Sequence, residues 1–149
     1  MTEGKRVAVS KNFFLDEFVP PEIYRKFGQQ SSRFCHRSLF TIAQGVREHF
    51  GKSVTINNWF TAGQFKERGF RMPDTKTGAP LSAHRRGMAI DVSIDGIESA
   101  EIQSVLIREW DAVFRTLGVT VIELDTKGWN HLACEYTAMD SLLMVPFYS

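Results

Sequence analysis

Two short runs in this chain hold side chains that could ligate a metal. The first is Ser82-Ala83-His84-Arg85-Arg86-Gly87-Met88-Ala89-Ile90-Asp91, and the second is Trp129-Asn130-His131. Imidazole nitrogens and carboxylate oxygens are standard zinc ligands at about 2.0–2.2 Å. Two histidines and one aspartate (His84, His131, Asp91) leave a fourth tetrahedral position for water, the ligand count of a catalytic site. The chain has four histidines, at 36, 49, 84 and 131, and two of them fall in these runs. Spacing alone leaves an ordinary surface His–Asp pair as an equally good reading. Asp91 adds weight to the metal reading because it stands between Ile90 and Val92. A buried carboxylate needs a cation, a donor network or a solvent-facing position.

These residues must be held by a scaffold, and hydrophobic periodicity outlines one. Phe13, Phe14, Leu15 and Phe18 cluster around Asp16 and Glu17 in a short helical turn. Pro21 suits the first position of a helix over 21–27, with Gly28 ending it in the left-handed conformation. Leu39, Ala43, Val46 and Phe50 recur at helical spacing and predict a helix over 37–50, closed by Gly51. Val54-Thr55-Ile56 reads as a strand, and 61–83 as a long irregular segment, a kind that is usually functional in a compact domain. Met88 to Ile94 alternates as a second strand. Ser99 to Leu117 carries a wide apolar stripe, with Ser99 as N-cap. Val119 to Asp125 and Asn130 to Tyr136 are two more strands, joined by a turn at 126–128. Leu142 to Phe147 is an edge strand or a packed tail. The implied class is α+β, a small antiparallel sheet with packed helices.

Composition narrows the function. The 149 residues, 43% hydrophobic and 23% charged, fit one globular domain over 1–149, with 1–11 read as a loose basic leader. The net charge of +1 hides an asymmetry. Residues 1–86 hold 15 Lys+Arg against 7 Asp+Glu, and residues 87–149 hold 3 against 10. No apolar run approaches a membrane span, and Val7-Ala8-Val9 is too short for a signal-peptide core. The expectation is a protein made in the cytoplasm, without membrane insertion, nucleic-acid partner or disulfide framework, and monomeric. Cys35 and Cys134 read as small buried hydrophobes, and His36 as structural.

The Ser-x-His-x-x-Gly-x-Ala-x-Asp run followed by Trp-x-His resembles the signature of the zinc D-Ala-D-Ala peptidases, which share their fold with the Hedgehog signalling domain. Ser82, His84, Gly87, Ala89, Asp91, Trp129 and His131 match it. Phe14-Leu15-x-Glu17-Phe18, and the helix leading into Val54-Thr55-Ile56-Asn57, resemble family elements as well, so the likeness covers most of the chain. The resemblance implies a peptidase cleaving amide bonds in peptidoglycan stem peptides, a D,D-carboxypeptidase or endopeptidase. It implies a zinc cofactor on His84, Asp91 and His131.

The family's general base, commonly an acid three residues before the final histidine, falls here on Gly128, a departure. The nearest acids are Asp125, the first choice, then Glu123 on the same face of the expected strand, then Glu135. The family's Ser-x-x-Arg after the first strand is also missing. Gly69-Phe70-Arg71 resembles a phage-type variant and makes Arg71 the carbonyl- or carboxylate-binding arginine. Trp59, Trp129 and Ser82 are expected to line the substrate groove. The absence of a signal peptide suits a phage or prophage endolysin acting at the wall after release, or a virion component. Two other readings stand beside this one: a non-catalytic zinc-containing binding or virion module of the same fold, and an amidohydrolase acting on a different amide.

Overall fold

The fold is α+β, built on a five-stranded sheet in the order β1-β2-β4-β3-β5. It is given by a computed structural model that describes residues 5–136 and 141–147. The strands are β1 (Val54–Thr55), β2 (Ala89–Ile94), β3 (Val121–Leu124), β4 (Asn130–Ala133) and β5 (Leu143–Pro146). All pairings are antiparallel except β3 with β5, which is parallel. The C-terminal segment is therefore an edge strand. The helices are α1 (Pro21–Phe27), α2 (Ser38–Phe50), α3 (Ser99–Arg108) and α4 (Arg115–Leu117).

Strand alternation decides which side chains meet which layer. Ile90, Val92 and Ile94 of β2, Leu132 of β4 and Ile122 of β3 face the main core. There they pack with Leu39, Ile42 and Val46 of α2 and Ile102 and Leu106 of α3. Ala89, Val121 and Ala133 form a second, smaller cluster. That parity sends Asp91 and His131 to the face away from α3.

Several expected boundaries move. Ser99 is the first helical residue of α3 and Glu98 its N-cap; the Ser99 hydroxyl instead accepts the Gly128 N–H at 3.0 Å. The expected single helix over 99–117 is broken by a π-turn at Trp110–Phe114, where Trp110 Nε1 donates to Val119 O at 2.7 Å. β3 and β4 are shorter than the 119–125 and 130–136 expected. The link after α1 is a 3₁₀ segment, Gly28–Phe34. The described part of the leader is not loose. Arg6 pairs with the buried Asp16 at 2.7 Å, Leu15 N donates to Val7 O at 2.7 Å, and Val7 and Val9 pack on the core.

The aromatic turn at Leu15–Glu17 carries a pH dependence. The Glu17 carboxylate accepts the Phe14 N–H at 2.8 Å. Burial pushes its pKa up to about 7, against the opposing pull of that N–H. The folded chain thus holds this proton more tightly than the unfolded chain. The associated stability is fully present below about pH 4.5 and is lost as pH rises through about 7. Glu17→Gln keeps the acceptor and removes the titration. Thermal unfolding is expected to show a fall in wild-type Tm from pH 5 to pH 8 that is smaller in this variant; equal falls would exclude Glu17 as the cause.

Candidate metal centre

β2 and β4 place the first two side chains by register alone. Asp91 stands directly across from His131. Ile122 opposite Leu132 makes Glu123 the next position in the same row, one strand further on. Three strands thus present Asp91, His131 and Glu123 side by side on one face.

His84 reaches this row from a 3₁₀ turn, Ala83–Arg86. The Ser82 hydroxyl caps that turn by accepting the His84 N–H at 3.2 Å. Gly87 ends it at φ +69°, and a Cβ there would lie 1.9 Å from the Phe34 carbonyl oxygen. No other residue satisfies both the left-handed backbone and the contact, which explains the glycine three residues after His84. The turn then enters β2, so histidine and aspartate seven residues apart meet.

His84 Nε2, His131 Nδ1 and Asp91 Oδ1 form a triangle with sides of 3.1, 3.1 and 3.2 Å. All three residues are buried. Ligand atoms about 2.0–2.1 Å from one tetrahedral ion lie roughly 3.3–3.4 Å apart, so the triangle fits a metal with little movement. The donor chemistry fits as well. The Gly69 carbonyl, 2.9 Å from His84 Nδ1, can only accept. It therefore fixes the proton on Nδ1 and leaves the Nε2 lone pair facing the Asp91 carboxylate. Burial pulls the His84 pKa down despite the attraction of Asp91, favouring this neutral form. A carboxylate facing the Nε2 lone pair of His84 is an arrangement that a cation between them resolves. This buried group could hold a metal ion.

Two charged side chains border the triangle. Arg71 Nη2 lies 3.2 Å from Asp91 Oδ2, the oxygen turned away from the histidines. Arg71 Nε donates to Glu67 O at 2.7 Å, and its backbone N–H to His84 O at 3.1 Å. Burial lowers its pKa, with Asp91 opposing. The 61–83 segment is irregular, as expected, and wraps around this arginine. Arg85 donates to the carbonyls of Pro73 and Thr75 at 2.8 Å, and Glu67 accepts from Thr75 and Thr77. A Cβ on Gly78 would lie 2.4 Å from Arg71 Nη1. On the other side, Glu123 Oε1 is 3.4 Å from His131 Nδ1, with its side chain about a quarter exposed.

The order of the acids changes. Asp125 was expected to share a face with Glu123, but β3 ends at Leu124 and Asp125 takes φ +63°, which breaks the alternation. Its side chain is exposed and borders a cavity beside the start of α3, among residues of the β3–β4 turn. Glu123 is the acid at the triangle. Glu135 pairs with Arg86.

The expected groove residues also divide. Ser82 acts by capping the His84 turn. Trp59 donates its Nε1 proton to Val19 O at 2.9 Å and packs edge-on against Tyr24, which makes it part of the hydrophobic scaffold. Trp129 stacks edge-on against Phe147 of the C-terminal segment. Cys134 is buried in the main core, on the face opposite His131, and His36 Nδ1 accepts the Ser38 N–H at the start of α2. Sequence reasoning missed two backbone oxygens: Gly69 O on His84, and Arg68 O, which accepts the Asp91 N–H at 2.7 Å. Carbonyls carry no residue signature, so no motif could have disclosed them.

No family model, curated protein or solved structure matches this chain.

Proposed function

We propose that the protein is a zinc peptidase acting on peptidoglycan stem peptides. The observation that carries this reading is the buried His84–Asp91–His131 triangle with a carboxylate, Glu123, on one side and a guanidinium, Arg71, on the other. The donor set is nitrogen and carboxylate without thiolate, which suits zinc in a site that keeps one position open. The motif resemblance supplies the substrate class.

Zinc held by these three residues supplies Lewis acidity and a water acidified towards neutrality. Glu123, beside His131, would take the proton of an attacking water and return it to the departing amine. Arg71 holds the developing oxyanion or a substrate carboxylate with paired N–H donors. Asp91 and the Glu67 carbonyl keep the guanidinium oriented from behind. Gly69 holds the His84 tautomer throughout. An acid reaching the site from β3 takes the role that Gly128 cannot.

A second reading, a zinc-containing peptide-binding module of the same fold, is favoured by the missing acid at Gly128. Metal analysis of purified protein is expected to give about one zinc per chain and close to none in His84→Ala. A natively purified protein without metal would remove both readings. A zinc-replete protein that binds stem peptides and leaves them intact would leave the module.

A further inference from the structure

A second guanidinium stands on the metal face of the sheet. β1 ends at Thr55, opposite Ser93. Beyond it the neighbour of β2 is Arg68, whose carbonyl accepts the Asp91 N–H at 2.7 Å. The Arg68 N–H donates to Asn57 Oδ1 at 2.9 Å, which fixes this backbone from its other side. Arg68 Nη1 donates to the Ser93 hydroxyl at 2.8 Å, and that hydroxyl donates on to Gly128 O at 2.6 Å. Ser93 shares the face of Asp91 and lies two residues on, so the guanidinium sits roughly 7 Å along the strand from the metal ligand. The Phe65 ring lies 3.6 Å from its Cζ.

The two arginines of this face are engaged differently. Arg71 is paired with Asp91. Arg68 has no carboxylate partner among the described residues, and its Nε and Nη2 have no acceptor there. Glu67, next in the chain, is taken up by Thr75 and Thr77. Arg68 is half-buried, stacked on a ring and pinned at one nitrogen, so it has little rotamer freedom left to lose on binding. Nε and Nη2 form the side-on fork that a carboxylate meets with two parallel hydrogen bonds.

We infer that Arg68 binds a carboxylate of the substrate, which leaves Arg71 to serve the oxyanion. The class of ligand rests on the peptidase reading. A stem peptide offers two kinds of carboxylate, its C-terminus and that of its glutamate. The test is calorimetry of zinc-loaded Glu123→Gln protein with one stem pentapeptide in three forms: the free acid, the C-terminal amide and the glutamate amide. One of the amides should bind roughly tenfold or more weakly than the free acid, as the loss of a charge-assisted hydrogen-bonded pair does, and its identity names the carboxylate. Arg68→Gln on this background should lose about the same factor on the free acid and little more on that amide. Arg68→Lys, which keeps the charge without the fork, should recover part of the loss. Equal affinity for all three peptides would overturn the inference. So would an Arg68→Gln loss shared equally by all three, or no binding of any at millimolar concentration. Cleavage by the zinc-loaded wild type is read separately. Discriminating binding with every peptide left intact would keep the inference and remove the peptidase reading. Cleavage of all three with one kcat/KM would keep that reading and remove the inference.

Discussion

Glu123→Gln should lower the peptidase rate of the zinc-loaded protein by roughly 10²–10⁴-fold, the usual contribution of a positioned general base. The substitution keeps shape and hydrogen bonding while removing the carboxylate's ability to take a proton. Because Glu123 is partly exposed and its carboxylate stands 3.4 Å from His131 Nδ1, the change leaves the triangle's three ligand atoms in place. Zinc content should therefore stay near that of the wild type, and the loss should appear in kcat more than in KM. Asp125→Asn is the control. Its side chain is exposed beyond the end of β3, so the rate should stay within about twofold of wild type, as is usual for a surface substitution away from the chemistry. Steady-state assays at matched zinc content decide the matter. If Asp125→Asn is the crippled variant, or if neither is, Glu123 is not the base.

Removing the metal should cost the fold more than any single surface change. A ligand present at about 1,000 times its dissociation constant stabilises the native state by about 4 kcal/mol. For a domain of this length, 1 kcal/mol moves Tm by about 2–4 °C. Chelation is thus expected to lower Tm by on the order of 10 °C, because it strips the cation from converging lone pairs on His84, His131 and Asp91 that stay buried. Readdition of zinc should restore Tm. In Asp91→Asn the ligand set is broken, so the chelator should have almost no effect there. A wild-type unfolding curve that ignores the chelator would mean that the triangle holds no metal in the folded protein.

How far the sequence foretold this site follows from how each part is encoded. The candidate ligands were legible because each sits in a local pattern: a capped turn closed by Gly87 for His84, an alternating strand for Asp91, a short strand for His131. Pairing β2 with β4 then turns two distant patterns into one row. The helix over Ser38–Phe50 and its Gly51 cap were equally legible, since periodicity and a left-handed glycine are local signals. The relative placement of the two acids was not legible, for a specific reason. Alternation puts Glu123 and Asp125 together only while the strand lasts, and nothing in Val119 to Asp125 marks that β3 stops at Leu124. The scaffold contact of Trp59 was not legible, because an indole that donates to a buried carbonyl and one that lines a groove have the same sequence signal. Arg71 was singled out through its Gly-Phe-Arg setting, and it lies beside Asp91. Its contact with the outer oxygen of Asp91 depends on the long irregular segment folding back, which periodicity does not encode.

The charge division along the chain now has a location. Asp91 and Glu123 belong to the acidic part after residue 86, and Arg71 to the basic part before it. The centre brings the carboxylate of Asp91 and the guanidinium of Arg71 within 3.2 Å of each other. Arg85 and Arg86, which belong to the same basic part, are engaged with loop carbonyls and with Glu135.

The proposed reaction is hydrolysis of a wall-peptide amide at a zinc site. The most direct measurement is mass spectrometry of defined muropeptides, from several wall chemotypes, after incubation with zinc-loaded protein. Products differing from their parent by one added water across a single amide bond of the stem peptide are expected, formed by the wild type and lost with chelator. Intact muropeptides of every chemotype, from a protein carrying about one zinc per chain, would contradict it.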